Sequence, residues 1–224
     1  MKHILLLLSA LGLFLSCSSL PQVYPANDSA DLQTGRACRG PFPDGDWQLL
    51  HSIEATLPGG KKGFLMGLTV ISSSIRTARC VIMTLEGFVV FDALYDKQIT
   101  VKRAIAPFDS QGFAEGLIRD IQLIFFAPEG PLSETGNVKD GASICRYQNP
   151  DGRIVDLVIH GDRTWQIRQY NRQFRLKRTV SAFFSPKNPG ENQYTIPHRL
   201  ELTAYGDAGY KLIMDLVEAV PLSP

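Results

Sequence analysis

The run RCVIMTLEGFVVFDALYDKQITVKRAI, Arg79 to Ile105, decides how this chain folds. Arg79 to Leu85 and Phe88 to Tyr95 are rich in β-branched and aromatic residues and meet at Glu86-Gly87, a turn dipeptide. Asp96-Lys97 then leads into a third extended run, Ile99 to Ile105. Connections this short join neighbours, so the stretch predicts an antiparallel meander.

Upstream, His51 to Leu57 alternates, with Ile53, Ala55 and Leu57 on one face, and Pro58-Gly59-Gly60 closes it. Gly63 to Ile71 puts Phe64, Met66, Leu68 and Val70 on one side, which completes a meander of five strands. Downstream the period changes. Asp109 or Ser110 can cap a helix in which Phe113, Leu117, Ile118, Ile121, Ile124 and Phe125 recur at spacings of three and four, until Pro128 stops it. Leu123 and Phe126 widen the apolar arc, so this helix is expected to be buried on most sides.

Beyond a loop rich in Gly, Pro and Ser, extended runs resume at Ala142 to Tyr147, Arg153 to His160, Arg163 to Tyr170, Gln173 to Phe184, Tyr194 to Tyr205 and Tyr210 to Val220. About eleven strands and one helix, with no internal repeat, predict a mainly β, antiparallel architecture.

The front of the chain is different. Lys2 and His3 precede an apolar run, Ile4 to Leu15, which has the length of a signal-peptide core and is too short to span a bilayer comfortably. Residues 1–16 are therefore expected to be a signal peptide. Residues 17–46 carry Pro21, Pro25, Pro41 and Pro43 among Ser, Asn, Asp and Gly, and predict a flexible tether; residues 47–220 form the folded domain.

Composition narrows the function. The 23 basic and 22 acidic residues leave a net charge of +1, without a nucleic-acid footprint. Arg168, Arg172, Arg175, Lys177 and Arg178 are expected on the solvated outer face of a hairpin. Cys80, inside an apolar run, reads as a core residue, and Cys38 and Cys145 could pair if their Cα atoms approach closely enough. His51, His160 and His198 are scattered, and there is no G-x-S-x-G elbow and no phosphate-cradling glycine loop. Asp92, Asp156 and Asp215 lie singly in strands, so solvent or a neighbouring strand is expected to satisfy them, and His160 beside Asp162 reads as a hairpin tip. The expectation is a non-enzyme with no metal site.

Ser16-Cys17-Ser18-Ser19 at the end of the apolar run resembles the lipobox of bacterial lipoproteins, although Phe14 and Leu15 stand where that family prefers Leu and a small residue. The resemblance implies a diacylglyceryl group and an N-acyl chain, palmitate among them, on Cys17; no other cofactor is expected. Two chains or more make a stable membrane anchor. Ser18, rather than Asp, after the cysteine is similar to lipoproteins held at the periplasmic face of the outer membrane.

Arg79-Cys-Val-Ile-Met-Thr-Leu-Glu-Gly87, the helix from Phe113 to Pro128, and the hairpin Pro197-His-Arg-Leu-Glu-Leu-Thr203 with Gly209-Tyr-Lys-Leu-Ile-Met-Asp215 resemble, in that order, elements of the LolA/LolB lipoprotein-localisation fold. An uncharacterised group of LolB-like lipoproteins is the nearer likeness. The resemblance implies a curved, incomplete barrel, lidded by helix, whose hollow takes the acyl chains of lipids or lipoproteins. Its lining is expected from Phe64, Met66, Leu68, Val81, Met83, Phe91, Ile121 and Phe125, with Leu85, Glu86 and Gly87 as a membrane-facing turn. LolB carries a leucine directly before the turn glycine for delivering cargo, and here that position is Glu86, so the likeness carries the container rather than the transfer step. Two alternatives stay open: the helix fills the hollow, or the domain is a non-catalytic partner in an envelope complex that uses Trp165, Tyr170, Phe183 and Phe184 as an interface.

Overall fold

The computed structural model describes residues 20–25, 38, 41–161, 164–184 and 196–222. The expected signal peptide 1–16 and Cys17 lie outside the described residues. Five strands come first: β1 (Asp46–Thr56), β2 (Lys62–Ser72), β3 (Thr77–Met83), β4 (Val89–Asp96) and β5 (Gln98–Ala104). Helix α1 (Gln111–Phe125) follows. Seven more strands complete the chain: β6 (Leu132–Asn137), β7 (Ser143–Gln148), β8 (Ile154–Ile159), β9 (Trp165–Tyr170), β10 (Leu176–Phe183), β11 (Arg199–Ala204) and β12 (Tyr210–Pro221).

All twelve strands form one open sheet in the order β5-β4-β3-β2-β1-β12-β11-β10-β9-β8-β7-β6. Every neighbouring pair is antiparallel. The two meanders are stitched together by β1 and β12, from Trp47↔Pro221 to Thr56↔Lys211. That seam leaves β5 and β6 as the outermost strands, at the two edges of the sheet. Helix α1 is the connection between those edges, so it must cross the inner face of the sheet.

The core lies between α1 and that face. Leu49, Ile71, Cys80, Ile82, Phe91, Val180, Leu200, Leu202, Leu157 and Ile167 are buried in one cluster with Ile118, Ile121, Ile124 and Phe125 of the helix. Ser110 caps α1, its hydroxyl accepting the Phe113 N–H at 3.1 Å, and the Phe126 N–H closes the last turn on the Gln122 carbonyl. Among the described residues no helix is long and apolar enough to cross a membrane.

The strand count and one boundary depart from expectation. β6, with the sequence LSETGN, falls in the stretch read as loop; it has no apolar alternation of its own and exists because β7 pairs with it. Parts of the expected flexible tether, 17–46, pack on the sheet, although Gln22, Tyr24, Pro25, Asp44 and Gly45 are exposed. Tyr24 exchanges backbone hydrogen bonds of 2.9 Å with Asn137 at the β6 edge. Val23 covers Ala142, Ile144 and Val158 on the outer face. Cys38 is disulfide-bonded to Cys145 across a Cα separation of 5.8 Å. Phe42 is buried with its ring centroid 6.4 Å from that of Trp165.

Candidate functional site

Register settles which side chains reach the inner face. Thr69 pairs with Cys80 and Gly67 with Ile82, and Cys80 and Ile82 belong to the core, so Gly67, Thr69, Ala78, Cys80 and Ile82 face the helix. Phe64, Met66 and Leu68 therefore stand on the outer face, with Leu68 opposite Val81 and Met66 opposite Met83. This corrects the expected lining at those five positions. The reason is register. Pairing with β1 and β3 turns Leu65, Gly67, Thr69 and Ile71 inward, and the Ile53 side chain fills the space over Gly67, where a Cβ would lie 2.6 Å from the Ile53 Cδ1. Phe64 is 58% exposed as a result.

The helix leaves little free space beneath itself. A cavity of about 50 Å³ remains between His51, Thr69, Cys80, Asp120, Ile121, Phe125 and Met214. A larger groove of about 580 Å³ opens beside it, between the N-terminal half of α1 and the free edge of the sheet. Phe91, Ile99, Val101, Ala104, Phe108 and Ala114 make its apolar floor, and Gln98, Asp109, Gln111 and Glu115 its polar mouth. Phe113 packs edge-on against both Phe91 and Phe108, at 5.1 Å in each case, and holds that floor in place. Of the expected lining residues, Phe91 lies in this groove, while Ile121 and Phe125 line the small cavity under the helix.

A polar contact seats the helix. Asp120, 3% exposed on an otherwise apolar face, accepts a 2.5 Å hydrogen bond from Arg178 Nε and another from the Tyr210 hydroxyl. Burial lifts the Asp120 carboxyl above the usual carboxylate range although Arg178 pulls it down, and burial likewise raises the Tyr210 hydroxyl. Arg178 is thus a correction to the expected outer basic face. It pairs with Ala204 in the register that turns Val180 and Ala182 inward, and that parity was readable from the sequence. Asp120 went unremarked, and the available signal was one acid between Ile118 and Ile121 on a buried helix face.

His51 sits on the same seat, its ring 6.3 Å from that of Phe125 and its Nε2 without a hydrogen-bond partner among the described residues. Burial depresses its pKa to about 4, with Asp215 opposing the shift. Cys80, also buried here, has its thiol pushed up to about 12 by desolvation. Among the described residues no three His, Cys, Asp or Glu side chains are grouped so that they could hold a metal ion.

The turn between β3 and β4 is closed by hydrogen bonds between Thr84 and Phe88 and from Gly87 to Thr84, both 2.9 Å, with Gly87 at φ +86°. It projects Leu85 and Phe88 into solvent, and the Arg103 guanidinium lies 5.1 Å over the Phe88 ring. The Thr84 side chain hydrogen-bonds the fully exposed Glu86 carboxyl and lowers its pKa. Two of the aromatics offered as an interface, Trp165 and Tyr170, are buried.

These features define the class: an open antiparallel half-barrel whose inner face is crossed by a helix, with a groove at one edge. Solved structures share it. A LolA superfamily protein from Nitrosomonas europaea superposes with a TM-score of 0.56 at 13% identity, over 87% of this chain and 94% of that one. A domain described as an outer membrane lipoprotein-sorting protein from Vibrio parahaemolyticus gives 0.50 at 11% identity, over 88% and 94%. A DUF1329 family protein from Desulfovibrio piger gives 0.51 at 14% identity, over 87% and 94%. The chain has the LolA-like fold. No protein-family profile matches its sequence, and no curated protein matches it.

Proposed function

We propose that this chain is an envelope lipoprotein, anchored through an acylated Cys17 at the periplasmic face of the outer membrane, and that its half-barrel takes up an acyl chain of a lipid or lipoprotein. The observation that supports this reading is the groove between α1 and the β5 edge. Its volume of about 580 Å³ falls within the ~300–1,000 Å³ of small-molecule sites, and its apolar floor under a polar mouth matches an amphiphile. Each apolar Å² that leaves water there contributes about 25 cal/mol. The likeness to a lipoprotein-sorting domain points the same way.

In this reading the β3–β4 turn faces the membrane. Leu85 and Phe88 give it an apolar tip beside the Arg103 cation, and the Glu86 carboxylate keeps the tip at the surface rather than inside the bilayer. Two experiments test the proposal. Native mass spectrometry of the full chain carrying Cys17→Ala, incubated with phospholipids and lipopeptides, should detect a one-to-one bound species; its absence ends the carrier reading. Metabolic labelling with palmitate should mark the native chain and not the Cys17→Ala variant; label in neither ends the anchor reading.

A further inference from the structure

The seat of α1 is chemically odd for a helix whose only task is to fill a hollow. Around Asp120 the helix presents Leu117, Ile121, Ile124 and Phe125, and the sheet answers with Ile53, Ile82, Leu212 and Met214. Apolar residues at positions 120 and 178 together would extend that contact without dehydrating a charge. Buried ion pairs are weak contributors to stability, and apolar replacements are often neutral or better. Both hydrogen-bond partners of Asp120 come from the sheet: Arg178 on β10 and Tyr210 on β12. Besides Asp120, the Arg178 guanidinium meets Gln169 at 3.4 Å and the Tyr210 hydroxyl. A second polar group waits in the same space, the His51 Nε2, buried and without a hydrogen-bond partner among the described residues.

We propose that Arg178 and Tyr210 form a binding site for the anionic head of an amphiphile, and that Asp120 occupies this site in the closed form as a built-in substitute for the ligand. The proposal rests on the acyl-binding reading above and adds the head-group chemistry that reading lacks. The exchange balances in charge. When α1 lifts, Asp120 moves to water, where a carboxylate is well solvated, and the incoming carboxylate or phosphate takes over its two hydrogen bonds. The tail then lies in the groove between α1 and the β5 edge, enlarged by the volume that Leu117, Ile121 and Phe125 vacate. A neutral amphiphile cannot complete the exchange, because it leaves the Arg178 cation uncompensated on an apolar floor. The closed contact therefore acts as a selectivity filter as well as a latch. Ligand affinity is reduced by the fraction of molecules that are open, so weakening the latch must tighten binding.

The test compares palmitate, lysophosphatidylglycerol and neutral monopalmitin as probes, titrated calorimetrically into the full chain carrying Cys17→Ala. The anionic probes should bind more tightly than monopalmitin. Adding Asp120→Asn should raise affinity for the anionic probes by about tenfold. Adding Arg178→Met to that variant should abolish the preference for anions, whereas Arg178→Lys should retain it. Preference for palmitate or for lysophosphatidylglycerol identifies the head group as carboxylate or phosphate, and either supports the site. Equal binding of anionic and neutral probes, or no gain with Asp120→Asn, overturns the substitute-ligand proposal while leaving acyl binding in place. If no probe binds any form, the acyl-binding reading falls and takes this site with it. Asp120→Ala keeps both sheet partners and removes the substitute ligand; it should likewise raise affinity for the anionic probes, and serves if Asp120→Asn fails to fold.

Discussion

Asp156 lies fully buried on the outer face of the sheet beneath Arg146, whose Nε and Nη2 donate to its two carboxylate oxygens at 2.7 and 2.9 Å. The same guanidinium donates to Glu134 at 2.6 Å and to the Pro21 carbonyl at 2.9 Å. One side chain thus ties together β8, β6 and the segment 20–25. Burial raises the Asp156 carboxyl, and Arg146 restrains that rise.

Arg146→Met should strand a buried carboxylate and cost about 3–5 kcal/mol. The double variant with Asp156→Leu removes both charges and should recover most of the loss. Urea unfolding measures both, and hydrogen exchange at Tyr24 and Asn137 should accelerate in the single variant. A loss under about 1 kcal/mol would show that the pair contributes nothing beyond a surface ion pair.

The Cys38–Cys145 disulfide spans 107 residues. Closing a loop of that order in the unfolded chain stabilises the fold by up to about 4.7 kcal/mol in the chain-entropy picture. Reduction, or the double change Cys38→Ala with Cys145→Ala, should lower the urea midpoint and leave the slope of the transition nearly unchanged. An unaltered midpoint would contradict the expectation.

His51 sets an acid limb on stability. Its folded pKa of about 4 lies below the 6.5 of the unfolded chain, so between those values the unfolded state binds the proton and the native state does not. Stability from this group is complete above pH 6.5 and is lost as pH falls toward 4, by roughly 3 kcal/mol over the whole window. His51→Leu should flatten the curve of unfolding free energy between those pH values. A curve with the same slope in the variant would assign the acid limb to other groups.

Val101→Glu tests the groove. Val101 is 45% exposed on the edge strand β5, so the fold should tolerate the change, while an acyl chain would have to desolvate the new carboxylate. Binding of lipopeptide should weaken by about tenfold or more, with thermal midpoint unchanged. Undiminished binding would move the acyl site away from β5.

Much of the frame was legible because its signals are local. The alternation of Arg79 to Ile105, broken at Glu86-Gly87 and Asp96-Lys97, matches β3, β4 and β5. The three- and four-residue spacing from Phe113, with Ser110 before it and Pro128 after it, matches α1. What escaped depends on partners far along the chain. Strand β2 is apolar on both sides, so only its register with β1 and β3 shows that Thr69 and Ile71 face inward while Met66 and Leu68 do not. β6 has no pattern until β7 supplies one. Leu20 to Pro25 has the composition of a loose segment, and its order comes from Arg146 and Asn137 more than a hundred residues away. Asp120 and Arg178 could be understood only together, once the helix lay across the sheet.

The pairing of β1 with β12 has a further consequence, in time rather than in space. The centre of the sheet joins Trp47 to Pro221, the two ends of the domain. Neither meander can be stitched to the other until β12 has been made, and contacts of such sequence separation form slowly. A chain threaded through a membrane from its N-terminus would therefore stay unlocked throughout its passage and become committed to its native form only on the far side.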